Sequence, residues 1–471
     1  MNKANKKYDY DAIIIGAGIG GLVCGCYLAK AGLKTLIIEK NSQAGGYCTS
    51  FTRGGFTFDA CVHSLGSLEK EGIIGLTLKD LGIENNMVRF NPSDIIITPD
   101  YKAIFHADLN KTIDSICSSF PEEKKGVKDF FEFCKNENAI SHAHLRNKKL
   151  KDLLDLYIKE KKIKAIISLL ALGNIGLSPS KLSAFSAAKF YKQFIINGGY
   201  YPGKNIQEFP DSLESRFKYY GGEIIKGKLV SEIEIEDGCA NSVKTKEGKS
   251  ISSKHIISDC DARETFLNMI DSSFVKEENK KKLKELVPSP SMFIVYLGID
   301  GHFNGMPDPG VNLWYLEDYD IDNFCDVYKE NNPKKIKWFM VRVMPGGRSI
   351  LAFANAEFMD NDFWQKNKAN FRDKFIEKIE KVVPNLSKHI VYKDASTPNT
   401  LQKWTLNYKG ACYGWAGMPS QLAVPGLSQI TFVKNLYLTG HWSTLAQGVP
   451  GVVYMGRNTA SIIKRKEKIK L

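Results

Sequence analysis

The residues best suited to chemistry lie near the N-terminus, in the run Gly16-Ala17-Gly18-Ile19-Gly20-Gly21. Gly16, Gly18 and Gly21 have the Gly-x-Gly-x-x-Gly spacing of a dinucleotide-binding turn. Gly16 permits a tight turn, Gly18 lets backbone N–H groups approach a pyrophosphate, and Gly21 lets a helix pack close to a strand. Ile19 and Gly20 lie where the helix opens, so their N–H groups face the phosphates with partial positive charge. Glu39 stands about twenty residues further on, where a carboxylate accepts ribose hydroxyls and disfavours a 2′-phosphate. Lys40, beside it, is grouped with the same site.

The elements that must position these residues follow in order. Asp11 to Ile15 is an isoleucine-rich run, as a buried parallel strand should be. Leu22 to Ala31 is rich in helix formers and is stopped by Gly32. Lys34 to Ile38 is a second apolar strand that ends at Glu39. Strand, turn, helix, strand and acid make one βαβ unit, which fits FAD and NAD alike.

Gly45-Gly46-Tyr47-Cys48 and Arg53-Gly54-Gly55-Phe56-Thr57-Phe58-Asp59 come next. Here the chain resembles the flavoprotein superfamily of amine oxidases and carotenoid desaturases. In that superfamily an acid, a short spacer, a Gly-Gly pair and a Gly-aromatic-x-Phe-Asp strand recur. The resemblance implies FAD as the cofactor, with Gly45, Gly46 and Tyr47 lying against it. Further on, Gly198-Gly199-Tyr200-Tyr201-Pro202-Gly203 precedes a helix from Ile206 to Tyr219, then strands from Lys228 to Ile235, Ser242 to Thr245 and Ile251 to Ser258. This order is similar to the phytoene desaturase, carotenoid isomerase and retinol saturase branch. There, the strand found here at Leu229-Val230 reaches the adenine end through backbone groups. Ile256-Ile257-Ser258-Asp259-Cys260-Asp261-Ala262 resembles that branch's Val-x-x-Asn-Ala-Asp strand end. Gly203-Lys204-Asn205 departs from the Gly-Gly that usually follows the proline.

Near the C-terminus, Asn435 to Gly440 is a buried strand ending in glycine. His441-Trp442-Ser443-Thr444-Leu445-Ala446-Gln447-Gly448-Val449-Pro450-Gly451 follows, then a helix to about Lys464, with Pro450 suited to its first turn. The resemblance implies that this helix N-terminus faces the pyrimidine edge of the flavin, with Gly440 and the N–H groups of Gly448 and Val449 as contacts. A helix N-terminus stabilises an anion by about 0.3–2 kcal/mol.

The expected architecture is α/β. A Rossmann-like FAD-binding domain of the glutathione-reductase and amine-oxidase type spans 8–75, 202–290 and 423–471. A mixed α+β substrate domain spans 76–201 and 291–422. Residues from about 76 to 200 read as largely helical. Basic residues interleaved with leucine and isoleucine from Leu145 to Leu170 read either as an apolar stripe on the core or as a basic amphipathic helix on an anionic membrane. Trp314, Tyr315, Trp338, Phe339, Trp404, Tyr408, Tyr413 and Trp415 either line an apolar tunnel or fill the core.

Bulk properties exclude several classes. At 471 residues the chain holds two or three domains' worth of core. No window offers the roughly 18 uninterrupted apolar residues of a spanning helix. The nearest, Ile13 to Leu28, is broken by five glycines. The basic stretch Met1 to Lys7 suggests a signal peptide, but Asp9 and Asp11 follow it and no clean cleavage site appears. A cytoplasmic location is expected, with contact at the cytoplasmic membrane face as the open alternative. The ten cysteines include no Cys-x-x-Cys pair, and Cys24 and Cys26 fall on different helix faces. Free buried thiols are expected, and no metal site. His142 and His144 read as a surface loop. The net charge of +13 is spread along the chain without a nucleic-acid motif, so no nucleic-acid partner is expected.

The resemblance implies desaturation, saturation or cis–trans isomerisation of C=C bonds in a hydrophobic isoprenoid, carotenoid or retinoid-like lipid. Electron donor and acceptor are unassigned. His441, in the flavin-proximal turn, and His63, after Asp59, are the candidate catalysts; a structural histidine is the plainer reading of each. Three alternatives stay open: an amine oxidase of the same fold, a non-catalytic flavin-binding protein and an NAD dehydrogenase.

Overall fold

The computed structural model describes residues 8–136, 144–324, 331–422, 427–443 and 447–469. Met1 to Lys7, His142, the domain boundary expected at Ala423, and Thr444 to Ala446 lie outside them.

Two large sheets organise the chain. In the first, strand Tyr10–Ile15 lies between Thr35–Glu39 and the second half of Ser250–Ser258, parallel to both. Glu223–Lys226 extends the sheet beyond Thr35–Glu39. Leu436–Leu438 pairs with Ser250–Ser258, also in parallel. The antiparallel strands Val230–Glu236 and Cys239–Thr245 continue from the first half of that strand. A central parallel strand is covered on both faces, and Ala12, Ile13 and Ile14 are accordingly inaccessible to solvent.

The first helix, Ile19–Lys30, packs against the C-terminal helix, Gly448–Lys466. The two backbones approach closely because Gly456 has no side chain. A β-carbon there would lie 2.5 Å from the carbonyl oxygen of Gly20. Opposite ends of the chain are thereby joined in one layer.

The second sheet runs Ile390–Ser396, Ser291–Ile299, Ser349–Ala356, Trp338–Val343, Asn312–Leu316, Asp94–Ile97, Lys102–Phe105. Its pairings are antiparallel except for Asn312–Leu316 with Asp94–Ile97. Helix Asn361–Ile379 buries Trp364, Phe371 and Phe375 against one face. Helix Lys161–Ile175 lies close to the other, where Gly173 leaves room for the Trp314 ring. Rossmann-like sheet and mixed second layer agree with the expected fold class.

Helices make up most of the regular structure in residues 76–200, as expected, but strands Met87–Arg89, Asp94–Ile97 and Lys102–Phe105 interrupt them. The β-branched run Ile95-Ile96-Ile97-Thr98, followed by Pro99, is a strand signal that outweighs the helical surroundings. The segment Leu145 to Leu170 is not one helix. Helix Leu150–Tyr157 ends at Ile158, and Glu160 caps a new one by accepting from the N–H of Lys162 at 3.0 Å. From Ile163 to Gly173 the second helix is buried except at Lys164. Its apolar residues therefore belong to the core rather than to a membrane-facing stripe; in the first, Leu156 is exposed.

Candidate functional site

A large cavity opens at the carboxyl ends of strands Tyr10–Ile15 and Thr35–Glu39, and most of the expected site residues line it. Gly16, Gly18, Ile19, Gly20, Glu39, Lys40, Gly45, Gly46, Tyr47, Val230, Gly440, Gly448, Val449, His63 and His441 are all on its wall. Gly21 is not. A β-carbon on Gly21 would lie 2.4 Å from the Gly16 carbonyl oxygen, so Gly21 serves helix-to-strand packing, as its place in the turn implies.

The glycine turn is held from two sides. The N–H of Ala17 donates to Glu39 Oε2 at 2.8 Å and the N–H of Asn41 to Oε1 at 2.7 Å. Glu39 thus fixes the turn as well as facing the cavity. Gly45 donates its N–H to the Ala17 carbonyl at 2.8 Å and forms a parallel bridge with Gly18. Its φ of +128° and a β-carbon position 2.6 Å from the Cys48 carbonyl require glycine. The Gly-Gly pair is therefore a lid on the first turn.

Two helix N-termini open onto this cavity. Neither Gly18, which caps the first helix, nor Gln447, which caps the C-terminal one, supplies a side-chain acceptor to its own helix. Uncapped N–H groups suit an anion or a carbonyl oxygen. At the first terminus the carboxyl of Asp259 reaches into the turn, close enough to the N–H groups of Gly21 and Gly18 for both to favour its charged form.

Further contacts of the motif residues brace the site. Asp59 is buried and accepts from Ser50 Oγ and Tyr201 Oη, both at 2.5 Å, and from the N–H of Ile206 at 3.2 Å. Burial raises its pKa. This one carboxyl joins the Phe56-Thr57-Phe58-Asp59 strand to the Tyr201-Pro202 turn, a connection between two motifs that sequence spacing does not reveal. Tyr47 donates to the Ala411 carbonyl at 3.0 Å, and burial pushes its phenol pKa well up. Lys40 donates to the Lys403 carbonyl at 3.0 Å.

Both candidate histidines are held neutral. Burial pushes His441 down to about 4, and its ring lies near Tyr47 and Trp442. Burial and the charge of Arg342 push His63 down to about 3. His63 packs among Trp314 and Phe353, and its Nε2 has no hydrogen-bond partner. Neither imidazole is poised to exchange a proton near neutral pH.

The aromatic set follows mainly the core-filling alternative. Of the eight residues, only Trp404 and Tyr413 reach the cavity. Trp314, Tyr315, Trp338, Phe339 and Trp415 are buried in the cores, and Tyr408 is exposed. The apolar wall is built instead by Ile175, Phe185, Phe190, Phe194 and Val452. Phe190 and Phe194 stack with centroids 5.3 Å apart. Residues 185, 189 and 193 form one row and 186, 190 and 194 another. Helix Ala184–Phe190 passes directly into a π-helix, Tyr191–Ile196, whose wider turn keeps these four-residue rows facing the cavity. That four-residue spacing of phenylalanines was the signal available in the sequence. Among the described residues no metal-ligating cluster is present.

The cavity fits an FAD: glycines clear a path for pyrophosphate, an acid follows the second strand, and a second helix end lies across the space. Comparison with known proteins agrees. A family model for flavin containing amine oxidoreductases matches residues 19–464. All-trans-retinol 13,14-reductase of Danio rerio is 23% identical, over 92% of this chain and 82% of its own. The chloroplastic prolycopene isomerase of Daucus carota is 25% identical, over 96% of this chain and 79% of its own. An oxidoreductase structure from Methanosarcina mazei superposes with a TM-score of 0.68 at 16% identity, covering 96% of this chain and 100% of that one. Putrescine oxidase with bound putrescine gives 0.66 at 16%, covering 97% and 99%. The chain belongs to the flavin-containing amine oxidoreductase family and is an FAD-dependent oxidoreductase.

Proposed function

We propose that this enzyme desaturates, saturates or isomerises C=C bonds of an isoprenoid, carotenoid or retinoid-like lipid. The observation that carries the reading is the continuity of one cavity from the glycine turn to the apolar wall of Ile175, Phe185, Phe190, Phe194 and Val452. A long apolar molecule is driven into such a space by burial of its surface, at about 25 cal/mol per Å². Two relatives named for a retinol reductase and a prolycopene isomerase support the substrate class.

Bound FAD supplies hydride exchange at N5 of its isoalloxazine. The chain's own residues bind and orient. Gly16, Gly18, Ile19 and Gly20 receive the pyrophosphate at the first helix N-terminus, and Glu39 and Lys40 flank the ribose. Val230 meets the adenine end, while Gly45, Gly46 and Tyr47 lie along the cofactor. Gly440 and the N–H groups of Gly448 and Val449 face the pyrimidine edge. Segments 8–75, 202–290 and 423–471 enclose the cofactor, and 76–201 with 291–422 enclose the substrate. Neutral His441 and His63 line the wall, with the unpaired Nε2 of His63 able to accept from or donate to a substrate hydroxyl.

Peripheral membrane contact belongs to the same reading, because the substrate dissolves in bilayers and the chain carries a net charge of +13. Among the described residues no helix is long and apolar enough to cross a membrane. Co-sedimentation with anionic and neutral vesicles tests the contact; negligible binding to both would refute it.

The reaction is tested by anaerobic incubation with polyenes, retinoids, fatty acids and primary amines, with FAD oxidised in one arm and reduced in the other. A polyene product differing by two hydrogens, or a geometric isomer of unchanged mass, is expected. Turnover of amines alone would overturn the reading.

A further inference from the structure

The carboxyl group of Asp259 has no part in the cofactor contacts assigned above, yet it occupies the centre of the glycine turn. A β-carbon on Gly18 would lie 2.5 Å from Oδ2, and one on Gly20 would lie 2.7 Å from Oδ1. One on Gly440 would collide with Oδ1 outright, and one on Gly21 would lie 3.0 Å from Oδ2. Four glycines, from both ends of the chain, therefore clear space around this one side chain. Its own backbone is pinned: the N–H of Asp259 donates to the Ile15 carbonyl at 2.9 Å, continuing the parallel pairing of the two strands. That pairing fixes the point on the strand end from which the side chain enters the turn.

Among the described residues no cation acts on this carboxyl. On the first helix the coupled group is Cys24, on its own strand end Cys260, and at the end of strand Thr35–Glu39 the carboxylate of Glu39. All are acids. On the C-terminal turn, His441 is shifted by burial alone and does not feel Asp259. The pyrophosphate of FAD brings two more negative charges to the same helix end. An ionised Asp259 would face them directly, whereas a carboxylic acid offers one O–H donor and no net charge.

We propose that Asp259 is a cofactor-binding residue that works as a neutral carboxylic acid, donating a hydrogen bond toward the FAD pyrophosphate, so that FAD binding in alkaline solution takes up one proton. The proposal rests on the FAD assignment. Burial, with the charge of Glu39 adding to it and the Gly21 and Gly18 N–H groups opposing it, raises the carboxyl to about 8. The sign follows. Below pH 8 the carboxyl is neutral in both free and loaded protein, and affinity is independent of pH. Above pH 8 the free protein ionises, the phosphates hold the loaded form protonated, and affinity falls by up to about tenfold per pH unit.

The test is FAD binding to the reconstituted full chain, by flavin fluorescence and calorimetry, between pH 6.5 and 9.5, for the wild type and Asp259→Asn. The wild-type Kd should be flat to pH 8 and then rise. Asp259→Asn, which keeps the shape and a donor but cannot ionise, should stay flat throughout. Calorimetry of the wild type at pH 9 in two buffers of different ionisation enthalpy should show net proton uptake, a readout that needs no variant. A flat wild-type Kd, an unchanged slope in Asp259→Asn, or absence of proton uptake would overturn the proposal. Failure of the folded wild type to bind FAD at every pH would overturn the cofactor assignment and this proposal with it.

Discussion

Gly18→Ala tests the glycine cradle most sharply. Gly18 has φ −66° and ψ 172°, extended backbone open to any residue, so the substitution acts through contact alone. The new methyl carbon would lie 2.5 Å from Asp259 Oδ2. The carboxyl has little room to retreat, because Gly20 and Gly440 hem its other oxygen. The turn must therefore move outward or the carboxyl must distort. Overpacking of this kind costs about 1–3 kcal/mol. The free protein relieves part of it by opening the turn, but FAD needs the turn in place, so the strain returns on binding. At about 1.4 kcal/mol per factor of ten, FAD affinity should weaken by roughly 5- to 150-fold. The assay is flavin fluorescence titration of the apoprotein, with circular dichroism to confirm folding. Gly301→Ala, where nothing lies within 4 Å of the new carbon, is the control and should bind like the wild type. A Gly18→Ala protein that binds FAD within about twofold of the wild type would refute the steric reasoning.

Other predictions follow from single contacts. Tyr201→Phe removes a 2.5 Å donor to buried Asp59 and should destabilise the protein by about 1–3 kcal/mol in denaturant unfolding, with FAD affinity changing less than stability. Because burial holds His63 near 3 and His441 near 4, the unfolded chain binds more protons than the folded one as pH drops below 6.5. The melting temperature should fall over that range, and less steeply in His63→Gln and His441→Gln. The same neutrality predicts that turnover between pH 6 and 9 shows no histidine inflection, and an inflection lost in His441→Gln would contradict it. Phe194→Ala widens the apolar wall and should raise KM for a long polyene while leaving FAD affinity unchanged, as steady-state kinetics on loaded protein would show.

The FAD-binding half was largely legible because its constraints are local. Gly16, Gly18 and Gly21 are three answers to one turn, and strand, helix and acid lie within a few dozen residues of it. The C-terminal closure was legible for the same reason: Gly440 and the helix after Gln447 form one short unit. Long-range contacts were not legible. Nothing at Asp59 announces Tyr201, and nothing at Asp259 announces four glycines from both ends of the chain. The second sheet was hidden because Asp94–Ile97 pairs with Asn312–Leu316, far away in sequence. The eight aromatic residues were left between two readings because a large ring fills a core as readily as a tunnel wall. Phe185, Phe190 and Phe194 escaped because phenylalanines at helical spacing fit a buried core face as well as a cavity wall.

On the proposed function, a flavin held between two helix N-termini changes the hydrogen count or the geometry of a polyene lipid in the apolar end of the same cavity. Anaerobic titration of the FAD-loaded enzyme, followed through the visible flavin band and the mass of recovered substrate, tests it most directly. A polyene should perturb the band and be recovered changed in hydrogen count or geometry, while a primary amine should leave the band untouched. Bleaching of the band by the amine, with every polyene recovered unchanged in both redox arms, would contradict it.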